Sequence, residues 1–96
     1  MIDCAERSAV FNVDGKEYTV IFSFVGDYTA AHILWHEGGK IAGLAGQAKR
    51  NPKDTYDANI GMRRAMRNAC GIDNHWGRKM PNLFRAFRLW QRDNPQ

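Results

Sequence analysis

The chain has 96 residues, 44% apolar and 25% charged, with fourteen Lys and Arg against ten Asp and Glu. That length sets one domain, 1–96, around one core, and its longest apolar stretches, such as 18–25, are far too short to span a bilayer. Asp3 and Glu6 at the start, with no apolar run behind a basic segment, give no sign of a secretory signal, so a cytoplasmic protein is expected.

Residues 9–13 and 17–25 flank Asp14-Gly15. Asp-Gly between two β-rich runs predicts a hairpin, because the turn needs positive φ. Tyr18, Val20, Phe22 and Phe24 alternate with Thr19, Ile21, Ser23 and Val25. One face of this strand is therefore aromatic and core-directed, and the other is mixed. Residues 28–36 fit a short helix capped by Asp27 and stopped by Gly38-Gly39, or a strand. Their Thr, Ile and Trp, and a Gly-Gly turn leading into 41–49, favour the strand. The small residues Gly43, Ala45, Gly46 and Ala48 mark that fourth strand as one against which something packs closely.

Asn51-Pro52 breaks regular structure, and Thr55 or Asp57 can cap the helix that follows. This helix runs to Cys70, with Gly71 as its C′ residue and Met62, Ala65, Met66 and Ala69 as its buried stripe. A loop spans 72–80. Pro81 suits the first position of a last helix, which runs to about Arg92 and ends at Asn94-Pro95. The predicted fold class is α+β: a four-stranded antiparallel meander followed by two amphipathic helices.

Charge is segregated along this order. Residues 61–92 hold eight basic side chains (Arg63, Arg64, Arg67, Arg78, Lys79, Arg85, Arg88 and Arg92) and one acid, Asp73, whereas 1–60 holds six basic residues and eight acids. At about 100° per residue, Arg63, Arg64 and Arg67 share roughly a quarter-turn of arc. Arg85, Arg88 and Arg92 form a stripe at i, i+3 and i+7, opposite Leu83, Phe87 and Trp90. A solvated helix face ordinarily mixes both signs, with glutamates paired to arginines. Here the acids are missing, and arginine outnumbers lysine seven to one in 61–92. Guanidinium forks match phosphate and carboxylate geometry, so the rows point to an anionic partner. Trp76, between His75 and Arg78-Lys79, is either an exposed anchor for that partner or a plug between the helices.

Catalytic chemistry finds little support. His32, His36 and His75 match no standard zinc spacing, even with Cys70 added. Gly38-Gly39-Lys40 lacks the order of a phosphate-binding loop. Asp73-Asn74-His75 supports a metal-dependent nuclease only as a remote alternative. Cys4 and Cys70, far apart and in no CxxC arrangement, read as reduced thiols, although a bridge between them is open to the sequence. No catalytic, cofactor-binding or metal residue is assigned.

The stretch Gly46-Gln47-Ala48-Lys49-Arg50-Asn51-Pro52-Lys53-Asp54-Thr55-Tyr56-Asp57, followed by Gly61 and Ala65, resembles a strand–turn–helix pattern of small phage and prophage proteins, G-x-A-x-x-N-P-x-D-x-[FY]-[DN]. The strands-then-basic-helix order is also similar to the second half of a double-stranded-RNA-binding domain. Arg63-Arg64 would be the counterpart of that family's phosphate-gripping lysines, although they sit inside the helix and the family's first helix is missing. The phage resemblance implies a non-enzymatic inhibitor of a host nucleoprotein or defence complex, of the anti-CRISPR kind, working in the host cytoplasm as a monomer or homodimer. Its expected binding residues are Arg63, Arg64, Arg67, Trp76, Arg78, Lys79, Arg85, Arg88 and Arg92. A stand-alone nucleic-acid-binding module is the alternative.

Overall fold

The computed structural model describes residues 4–51, 53, 57–72 and 79–94, the side chains of 4 and 5 excepted. Four ten-residue strands, β1 (Cys4–Val13), β2 (Lys16–Val25), β3 (Tyr28–Glu37) and β4 (Lys40–Lys49), pair antiparallel in chain order. Two helices follow, α1 (Ala58–Ala69) and α2 (Pro81–Asp93). The α+β meander expected from the sequence is the fold, and 28–36 is strand.

The turns explain the meander. Asp14 and Gly15 have φ of 53° and 79°, and Gly38 and Gly39 have 60° and 79°. Two successive positive φ values give a turn whose twist matches that of the strands it joins. The first strand begins five residues earlier than its apolar pattern indicates. Glu6 pairs with Ser23 and Arg7 with Phe22, so the long β2 extends its edge partner by backbone bonding, whatever the side chains. Arg7 also lays its guanidinium 5.9 Å from the centre of the Phe24 ring, a contact that favours both.

One sheet face is covered. Tyr18, Val20 and Phe22 of β2, with Ala31, Ile33 and Trp35 of β3, point into the core. On β4 the inward positions are Ala42, Leu44, Gly46 and Ala48, each half-buried at the edge. α1 covers β3 and β4 with Met62, Ala65, Met66 and Ala69, the four residues its periodicity selects. Small residues let it come close. A Cβ on Gly46 would sit 2.7 Å from the Ala65 carbonyl oxygen and 2.8 Å from the Ala69 Cα. A Cβ on Gly61 would sit 2.5 Å from Thr29 Oγ1. α2 covers the β1–β2 half with rings. Phe87 meets Phe22 at 5.5 Å and Phe11 at 6.4 Å between centroids, and Trp90 meets Phe11 edge-on at 6.0 Å.

α1 is capped at both ends. Asp57 Oδ1 accepts from the Asn59 N–H at 2.9 Å, as an N-cap should. At the other end the Ile72 N–H donates to the Arg67 carbonyl and the Gly71 N–H to the Asn68 carbonyl, both at 3.2 Å. This paired closure, with Gly71 at φ 69°, takes up carbonyls that the helix leaves open. Cys70 is a buried free thiol, and desolvation pushes its pKa up to about 12. The Met80 N–H donates to the Cys70 carbonyl at 2.8 Å, tying the start of α2 to the end of α1.

Candidate functional site

The arginines lie on the outside of the helical layer, but they do not form one flat row. On α1, Arg64 and Arg67 are exposed and Arg63 is half-buried. The helical angle explains the difference. Arg63 turns toward α2, whereas Arg64 and Arg67 stand on the crest or lean toward β4.

A groove of about 300 Å³ runs between the helices, lined by Asn59, Ile60, Arg63, Arg88, Gln91 and Arg92. Here both arginine sets meet. Its floor is built from a polar residue that the apolar pattern of α2 passes over. Gln91, 7% exposed, donates through Nε2 to the Asn59 carbonyl at 2.6 Å and accepts at Oε1 from Arg88 Nη1 at 2.7 Å. Arg88 is thereby held by α2, and α2 is held by the first turn of α1. Asn59 Oδ1 is buried beside this groove and has no hydrogen-bond partner among the described residues. Arg92 lies 3.6 Å from Asp93 across an exposed pair, a contact worth little in water.

A second groove, about 530 Å³, separates α1 from β4 and is lined by Gln47, Ala48, Lys49, Arg64, Arg67 and Asn68. Asn68 Nδ2 donates to the Gln47 carbonyl at 2.7 Å and fixes the helix against the strand there. Lys49 contributes its stem, because its ammonium lies 5.7 Å from the centre of the Tyr28 ring on the opposite sheet face. At the start of α1 a cleft of about 330 Å³ is bounded by Asp27, Thr29, Arg50, Asp57, Gly61 and Arg64. Arg50 Nη2 pairs with Asp27 Oδ1 at 2.8 Å, and the Arg50 N–H donates to the Asp27 carbonyl at 2.7 Å. This double contact closes the β2–β3 turn onto the end of β4.

The electrostatics follow from composition. α1 contains three arginines and no acid, and α2 contains three arginines and only the terminal Asp93. Arg63, Arg64 and Arg85 make no ion pair among the described residues. α1 thus stands between two basic grooves and supplies guanidinium groups to both.

The sequence-predicted residues divide as follows. The structure brings Arg63, Arg88 and Arg92 together in one groove and Arg64 and Arg67 at the other. Arg85 is exposed on α2. Lys79 is exposed just before α2, beside a different recess that includes Lys16, Pro81 and Asn82. Trp76 and Arg78 lie outside the described residues, as does His75. Trp90 belongs to the core, packed on Phe11 and Phe87. His32 and His36 are both exposed on the sheet face away from the helices. Sequence reasoning missed Gln91. A glutamine at i+4 from Phe87 and i+8 from Leu83, in line with the buried stripe, was its available signal. No helix among the described residues is long and apolar enough to cross a membrane.

No protein-family model, no curated protein and no solved structure matches the chain.

Proposed function

We propose that the protein acts by binding, and that its helical layer docks on the phosphate backbone of a nucleic acid, free or held in a nucleoprotein complex. The observation that carries this reading is α1 itself, a helix with three arginines and no acid, set between two grooves that its arginines line. Guanidinium groups placed on both sides of one helix suit a partner whose charges are spaced along a strand. Both grooves are open to solvent. They offer no enclosed pocket for a small substrate, so affinity comes from charge and specificity from shape. The phage-type motif extends the proposal to a host defence nucleoprotein, whose exposed guide or target strand this surface would occupy.

Fluorescence anisotropy with a labelled 20-base-pair duplex and the matching single strand tests it. Binding with a dissociation constant of about 10⁻⁴ M or tighter at physiological salt is expected, because non-specific contacts alone give about 10⁻⁴ to 10⁻⁶ M. Reversing Arg64 and Arg67 to glutamate should weaken binding at least about tenfold, an energy of roughly 1.4 kcal/mol. Equal binding by this variant and the natural chain would contradict the proposal.

A further inference from the structure

The sheet face without helices is apolar in an ordered way. Seven large apolar side chains are exposed among the described residues, and five of them (Val10, Val25, Tyr28, Leu34 and Ile41) lie on this face. Ile41 is 69% and Val10 55% exposed. Val25 pairs with Tyr28 at one end of the face, and Val10, Leu34 and Ile41 stand toward the other. Exposed apolar groups concentrated on one face mark an interaction site. Two full rows cross its middle in register: Ser8–Ile21–His32–Ala45 and Val10–Thr19–Leu34–Gly43. Neither row carries an acid, a lysine or an arginine. Charges stand only at the rim, where Glu6 lies on β1, Glu17 on β2 and Lys49 on β4.

We infer that a second copy of this chain covers this face, sheet against sheet, about a two-fold axis parallel to the strands. Three observations lead there. The first is charge. Two helical layers coated with arginine repel each other, so the sheet face is the side on which copies can approach.

The second is area. Four ten-residue strands, about 4.8 Å apart and rising about 3.3 Å per residue, present roughly 630 Å² in plan. Side chains corrugate that plane, and a specific interface needs about 800 Å² of accessible surface from each partner. The whole face is therefore the right size, and a fraction of it is not.

The third is self-complementarity. An axis along the strands lays β1 over β4 of the second copy and β2 over its β3, row upon row. Val10 then meets Gly43 of the second copy, Leu34 meets Thr19, and Ile21 meets His32: bulky groups fall on smaller or flatter ones. At one end Lys49 comes beside Glu6 of the second copy, twice by symmetry. An axis across the strands would instead lay Lys49 over Ile41 and leave Glu6 beside Asn12. The resulting dimer has helices on both outer surfaces and the two sheets inside, packed as aligned sheets pack.

Sedimentation velocity on the full chain tests this. The natural protein should sediment at twice the 11.0 kDa chain mass, with a dissociation constant of about 10 μM or tighter. Leu34→Glu places two carboxylates in the middle of the interface, and the variant should be monomeric while still melting cooperatively, at a midpoint lowered by the lost association. If Leu34→Glu does not fold, Val10→Glu and Ile41→Glu decide in its place, because both positions are more exposed. Lys49→Glu and Glu6→Lys should each weaken the dimer by about fivefold, and the two together should restore it. A natural chain that stays monomeric at about 100 μM overturns the inference. So does a folded Leu34→Glu variant that remains dimeric. A charge swap that fails to restore association overturns the assigned axis.

Discussion

The two helices cover one sheet face by opposite means. α1 lies close to β3 and β4 because Gly46 and Gly61 have no side chain where backbone and Thr29 pass. α2 stands off the sheet on tilted and edge-on rings, with Phe87 against Phe11 and Phe22 of the sheet and beside Phe84 and Trp90 of its own helix. A contact made of absent atoms is intolerant of additions, and a contact made of rings is intolerant of deletions. The difference extends to the outside. The arginines of α1 are positioned by backbone against backbone, whereas Arg88 of α2 is held through the Gln91 side chain.

The largest expected effect comes from breaking the close approach. Gly46→Val would drive its side chain into the Ala65 carbonyl and the Ala69 backbone, neither of which can rotate away. The loss should exceed about 4 kcal/mol, and circular dichroism should show no cooperative melt near the natural midpoint. A shift of only a few degrees would mean that α1 can lift off β4 at little cost.

Deletion on the other side comes next. Phe87→Ala should cost about 3–5 kcal/mol in a denaturant titration, and Phe87→Leu about half that or less. If both variants cost the same, ring contacts are not what holds α2.

The smallest stability change sharpens the comparison most. Gly61→Ala gains about 1 kcal/mol of helix propensity but overpacks against Thr29 by about 1–3 kcal/mol. A net loss of about 1 kcal/mol is expected. Adding Thr29→Ala removes the obstructing Oγ1 and Cγ2, so the double variant should be at least as stable as Thr29→Ala alone. Additive losses would show that the close approach at Gly61 is not the cause.

Most of the fold is legible in the residues themselves. Asp14-Gly15 and Gly38-Gly39 announce two of the three hairpins, and the stripe of α1 is readable to the residue. The strand at 28–36 is harder, because Ala30 and Ala31 blur the alternation of Thr29, Ile33 and Trp35 that its burial obeys. Five residues of β1 were hidden because edge pairing is a backbone property that Glu6 and Arg7 do not advertise. The Gly-Ala run of β4 showed that something packs closely, but not what. α1 supplies the answer only in three dimensions. The site divides in the same way. Which arginines exist is plain from the sequence. That Arg63 turns toward Arg88 while Arg64 turns toward β4 depends on how α1 sits between its neighbours, and local periodicity does not contain that placement.

The claim that the helical layer binds phosphates is tested most directly by the salt dependence of duplex binding. For each phosphate neutralised, the logarithm of affinity should fall with the logarithm of salt by about 0.9. Four or so contacts from the two grooves predict a slope of roughly −4 for the natural chain. Arg64→Glu with Arg67→Glu should flatten that slope by about 2, and Arg85→Glu with Arg88→Glu should flatten it by a smaller amount, about 1. A slope near zero, or one that neither pair of reversals changes, would contradict the account.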